Sequence, residues 1–181
     1  MVSSLCHAQY SNRQLYEAYI TRDMNVWEQY IDSADWDSLD ADQRKQLLNY
    51  EYGFTAYILG IDAEKGKKMI QRFSSHLEAM KNDIPEERYC AYLASVYSYQ
   101  LALEKNQLMK YAKLIFGNIQ HAMELNANDP FVLSMQGNVE FFSPFGSKKT
   151  ALAHYQKADS LYKVAGAEYE RWNRRAVQMT Y

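Results

Sequence analysis

The chain has 181 residues, of which only 3 are Pro and 7 are Gly, roughly 6% against the ~12% of average usage, and an all-β fold needing a turn signal every ~8–12 residues is thereby excluded. Hydrophobic residues make up 48% and charged residues 23%, too apolar for a disordered chain and sufficient for one buried core. The net charge of −2 carries no basic footprint for nucleic acid or an anionic membrane.

The chain opens Met1-Val2-Ser3-Ser4-Leu5-Cys6-His7-Ala8-Gln9. Cys6 and Ala8 stand two apart before Gln9, as in the small-residue end of a signal peptide, although the basic start and most of the apolar stretch are absent. Two readings follow. Residues 1–9 are a residual signal-peptide-like or disordered segment of a periplasmic or exported protein with its mature chain from Gln9, or they are a slightly apolar cytoplasmic N-terminus. Leu5 before Cys6 argues against a lipoprotein site.

Residues 10–181 read as a single helical domain. Apolar residues at helical spacing predict nine helices, near 12–21, 24–33, 41–59, 63–81, 84–104, 107–126, 130–142, 148–163 and 165–180. Asp40 with Gln43, and Asp83 with Glu86, have capping-box spacing, and Pro85 falls in a first turn. Asp62, Asn128 or Asp129, and Ser147 are further candidate caps. The linkers are short, which predicts antiparallel hairpins. No run of ~18 apolar residues is present, so no membrane span is expected.

The helices repeat. Gly53, Ser95 and Gly137 lie 42 residues apart in the third, fifth and seventh helices, and four residues beyond each come Tyr57, Tyr99 and Phe141. A small residue lets a partner helix approach, and an aromatic one turn onward fills the groove beside it. The even helices carry triplets at i, i+4, i+7: Phe73, Leu77 and Met80; Ile115, Ile119 and Ala122; Ala151, Tyr155 and Ala158. One hairpin cannot bury such a stripe alone, whereas stacked hairpins share a core.

These features resemble the tetratricopeptide repeat (TPR). Ala151-x-x-x-Tyr155-x-x-Ala158 is similar to its second-helix signature, and the run from Ala122 to Pro130 resembles the end of one repeat entering the next. Tyr19 to Trp27 resembles a first helix turning into its partner. The spacing of 42 and then about 36 departs from the family's 34. The segments 47–53 and 142–151 resemble exported TPR-like proteins of Gram-negative envelopes, with Ser147 where that group tends to glycine. The resemblance implies an all-α, right-handed superhelix of about four hairpins over residues 12–163, closed by a C-terminal capping helix.

Several motifs suggest chemistry and fall short of it. Asp32, Asp35, Asp37, Asp40 and Asp42 lack the glycine and glutamate of a calcium loop and read as a solvated linker with caps. His76, His121 and His154 differ in helix register, so no metal ladder is expected, and two cysteines are too few for a zinc site. Gly146-Ser147-Lys148-Lys149-Thr150 has Phe141 where a phosphate loop needs glycine. Cys90 reads as a buried small hydrophobe, and Glu86 and Glu87 as helix-start carboxylates. Arg171, Arg174 and Arg175 read as the solvated face of a cap whose Trp172 docks inward.

Neither an enzyme nor a cofactor is expected. The 16 Tyr, 7 Phe and 3 Trp carry the functional expectation. In TPR stacks the odd helices line a concave face, which here implies partner contacts from Tyr50, Phe54, Tyr57, Tyr92, Val96, Tyr99, Asn138 and Phe141. The same rings would serve equally as core between helices. The expected function is a scaffold binding an unidentified protein or peptide, with no nucleic acid and an open oligomeric state. The alternative is a small-molecule binder with a pocket between the odd helices and the loop 143–147.

Overall fold

The computed structural model describes residues 10–144 and 146–180, so the reading of residues 1–9 lies outside them. Among the described residues the chain forms α-helices and short 3-10 turns and no strands. In order these are α1 (Asn12–Thr21), α2 (Met24–Ser33), α3 (Ala41–Leu59), α4 (Ala63–Ala79), α5 (Glu86–Leu103), α6 (Leu108–Leu125), α7 (Pro130–Phe142), α8 (Lys148–Ala165) and α9 (Arg171–Thr180).

Local chemistry sets most of the boundaries. Asp40 and Gln43 cap α3 reciprocally, Asp62 accepts from the Lys65 N–H, and Ser147 from the Thr150 N–H. Asp129 accepts from the N–H groups of Phe131 and Val132, with Pro130 as first helical residue, where its missing N–H costs nothing. The expected Asp83–Glu86 box does not form. The Asp83 N–H bonds the Met80 carbonyl in the turn that leaves α4, so Pro85 takes the cap position of α5.

The end of the chain also departs from the expected single helix over 165–180. At Gly166 the Tyr162 carbonyl oxygen lies 2.7 Å from where a Cβ would stand, and the backbone turns extended there. A 3-10 turn over Glu168–Glu170 follows before α9 begins.

Three helical hairpins, α3–α4, α5–α6 and α7–α8, form the body, with α1–α2 ahead of them. All nine residues of the even-helix triplets are buried. The small residues mark tight crossings, as their spacing implied. A Cβ on Gly53 would fall 2.6 Å from Trp172 and 2.8 Å from Trp27, and one on Gly137 would fall 2.6 Å from the Tyr155 ring. Both are closer than packed carbon atoms approach, so each position excludes any side chain.

The last segment crosses the odd helices. Trp172 stacks edge-on against Trp27 at 5.1 Å and lies 5.7 Å from Tyr52, and its indole bonds Asn49 in α3. Arg88 in α5 bonds Glu170 at 2.8 Å and Asp129, at the cap of α7, at 2.7 Å. Helix α9 therefore lies against the odd-helix side of the array.

Candidate functional site

That placement divides the odd-helix face in two. Its first half, near the starts of α3, α5 and α7, is covered by the 3-10 turn and α9. Its second half is open and forms a cavity of about 530 Å³. The walls come from Tyr52 and Ala56 of α3, the Ser95–Ala102 stretch of α5, Leu108 to Phe116 of α6, Met135 to Phe142 of α7, and Ser143 and Pro144 beyond it. Among the described residues no ionisable acid or base lines it beyond the phenols of Tyr52 and Tyr99.

The entrance is conspicuously apolar. Met109 is 83% exposed and Phe142 76% exposed, and Leu108 and Phe116 are exposed beside them. Large apolar side chains gathered around a concavity make it the candidate site of the described residues. The chain then folds tightly back over the end of α7. The Ser147 N–H bonds the Glu140 carboxylate at 2.9 Å, and a Cβ on Gly146 would fall 2.0 Å from the Glu140 carbonyl oxygen.

The inner wall is polar at one point. The Tyr52 hydroxyl donates to the thioether of Met135 at 3.2 Å, and the Asn138 amide approaches the same sulfur at 3.7 Å. Asn138 is oriented by Tyr155, whose hydroxyl donates to its Oδ1 at 2.8 Å. The Tyr99 hydroxyl donates to the Tyr52 carbonyl at 3.0 Å. Burial pushes the Tyr52 and Tyr99 phenols above their ordinary value, which keeps both as neutral donors. Behind Tyr52 and Asn138 lies a small polar space of about 50 Å³ against α9, where the buried Oδ1 of Asn173 has no hydrogen-bond partner among the described residues.

The eight residues read from the sequence separate accordingly. Tyr99 and Asn138 line the cavity. Phe141 packs edge-on against Phe142 at 5.0 Å, with the Lys148 ammonium 5.3 Å from its ring. Tyr57 is exposed, its ring 6.0 Å from that of Phe54, and does not line the cavity. Tyr50, Phe54, Tyr92 and Val96 are core side chains rather than groove surface: Tyr50 and Phe54 pack with the N-terminal helices and Trp172, and Tyr92 and Val96 belong to the core shared by the hairpins. Tyr50 lies edge-on to Trp27 at 4.8 Å, and the Tyr92 hydroxyl accepts from Asn49.

Tyr52, Met109, Phe116 and Met135 were not anticipated. Tyr52 lies two residues from Tyr50, on another flank of α3. The excess of exposed apolar residues at the start of α6, Leu108-Met109, was the signal available for that wall.

Most of the remaining motif residues find ordinary partners, while the buried Nδ1 of His154 has none among the described residues. His76 bonds the buried Glu51 at 2.9 Å and stacks on Trp36 at 3.9 Å, whereas His121 faces Glu86 at 3.2 Å. Asp32 pairs with Arg72 and Asp42 with Lys45. Cys90 is buried, and burial pushes its thiol up. Among the described residues no group of three or more His, Cys, Asp or Glu is placed to hold a metal ion.

No protein-family model matches the chain, and no curated protein sequence matches it. Among solved structures it is similar in fold to the HusA haemophore from Porphyromonas gingivalis, with a TM-score of 0.55 and 16% identity over 99% of this chain and 93% of that one.

Proposed function

We propose that this chain binds a bulky, largely apolar small molecule in the cavity between α3, α5, α6 and α7 and carries it without chemical change. The observation that carries the reading is the cavity itself: about 530 Å³, within the ~300–1,000 Å³ of small-molecule sites, lined by apolar side chains and rimmed by exposed Met109 and Phe142. A protein or peptide partner on the aromatic face has less support, since α9 lies over half of that face.

The similarity in fold to a haemophore makes haem, a flat apolar ring with a charged edge, the first ligand to test. The lining is compatible with it, since Phe116, Ile115, Val139 and Phe142 would hold an apolar ring. Met109, Met135 and the two phenols are the groups able to meet an iron. On the same reading the hairpins form a TPR-like right-handed stack, and the protein acts in the periplasm or beyond it.

Titration of the purified protein with haemin, followed by the porphyrin absorption band, tests the proposal. Saturable one-to-one binding that Ala112→Phe weakens at least tenfold, with helicity retained, is the expected result. Binding that does not saturate, or that ignores Ala112→Phe, overturns it.

A further inference from the structure

The cavity floor holds two good hydrogen-bond donors on one poor acceptor. The Tyr52 hydroxyl and the Asn138 amide both point to the Met135 thioether, at 3.2 and 3.7 Å, and a thioether sulfur accepts only weakly. The neighbouring hydroxyls are already satisfied, since Ser95 donates to the Tyr92 carbonyl at 2.6 Å and Ser98 to the Ala94 carbonyl at 2.9 Å. Tyr155 holds the Asn138 amide by its oxygen, which directs the NH₂ to the sulfur. All three members of the floor line the cavity.

We propose that Tyr52 and Asn138 form a two-donor seat for one uncharged oxygen acceptor, such as a ketone, amide or ester carbonyl, on the ligand. This rests on the cavity being the binding site. The ligand oxygen takes the place of the Met135 sulfur, whose flexible unbranched side chain can move aside. Among the described residues no cation lines the cavity, so a carboxylate driven to the floor would lose its hydration without a countercharge. A neutral carbonyl satisfies both donors without that cost, and any charged edge of the ligand stays at the mouth.

Fluorene and 9-fluorenone, the same tricycle without and with a carbonyl oxygen, serve as probes, with affinities measured by calorimetry. Tyr52→Phe should weaken fluorenone about tenfold, the scale of one good hydrogen bond, and leave fluorene within twofold. Met135→Leu should leave fluorenone binding intact. The carbonyl stretch of bound fluorenone should lie lower in the wild type than in Tyr52→Phe. If both probes bind and Tyr52→Phe weakens them equally, or neither, the seat is wrong and the cavity stands. If neither probe binds, the cavity reading fails and the seat with it.

Discussion

The indole N–H of Trp172 donates to the side-chain oxygen of Asn49 at 2.6 Å, joining residues 123 positions apart. Asn49 passes the connection on, since its amide donates to the Tyr92 hydroxyl at 3.1 Å. The last helix is thus tied into α3 and α5 by a buried polar chain, beside the notch that Gly53 leaves for the ring.

Trp172→Ala removes that ring from a fully packed site and leaves Asn49 short of a donor. The expected cost is about 3–5 kcal/mol, read as a lower urea midpoint. Gly53→Ala should destabilise as well, because its Cβ meets two indoles. Substitution of exposed Tyr57 by Ala should stay within about 0.5 kcal/mol.

Arg88 is held by two carboxylates, Asp129 and Glu170. Burial works against its charge, but Glu170 and Asp129 outweigh burial and hold the guanidinium well above its ordinary value. Arg88→Met strands both acids in a dry site and should cost about 3–5 kcal/mol. Thermal unfolding compared with the Arg88→Met, Asp129→Asn, Glu170→Gln triple variant checks it, the triple variant recovering part of the loss.

The rim of the cavity separates binding from stability. Met109 is almost fully exposed, so Met109→Gln should shift stability by less than about 0.5 kcal/mol. The same change should weaken haemin several-fold, as Phe142→Gln should. A rim substitution that unfolds the protein would contradict the exposed placement.

Alkaline pH should unfold the chain through its tyrosines. Burial raises Tyr52, Tyr92, Tyr99 and Tyr162 above the ordinary 10.0 and Tyr155 to about 12. A folded-state pKa above the unfolded value means that the unfolded chain loses its protons first. Stability is therefore full below pH 10 and falls as pH rises toward 12, by up to about 1.4 kcal/mol per pH unit for each such group. Phenolate absorbance of this buried set should rise above pH 10 together with loss of helicity.

Local chemistry made the helices legible. Asp40, Asp62, Asp129 and Ser147 are caps whose effect needs only the next three residues, and the 42-residue spacing of Gly53, Ser95 and Gly137 marked where small residues stand, though not that Trp172 fills the notch at Gly53. The site was half legible. Tyr99 and Asn138 follow from the repeat register, whereas Tyr52 sits off that register and becomes a wall residue only because α5 and α7 pack beside it. The burial of Tyr50 and Phe54 depends on α1, α2 and α9 arriving from both ends of the chain. The pairing of Trp172 with Asn49 has no local period, so a cap reading of the last helix could place its indole inward but not say against what.

The return of α9 also bears on how such a chain can change by descent. A stack open at both ends can lengthen by duplicating a hairpin, because each added unit meets only its neighbours. Here an extra hairpin would carry Trp172 at least one helix spacing, ~8–10 Å, from the notch at Gly53, and strand Asn49. The tail works as a ruler laid across the array. Descendants of this chain are free to vary their loops and the lining of the cavity, while the number of hairpins is held by the contact between its two ends.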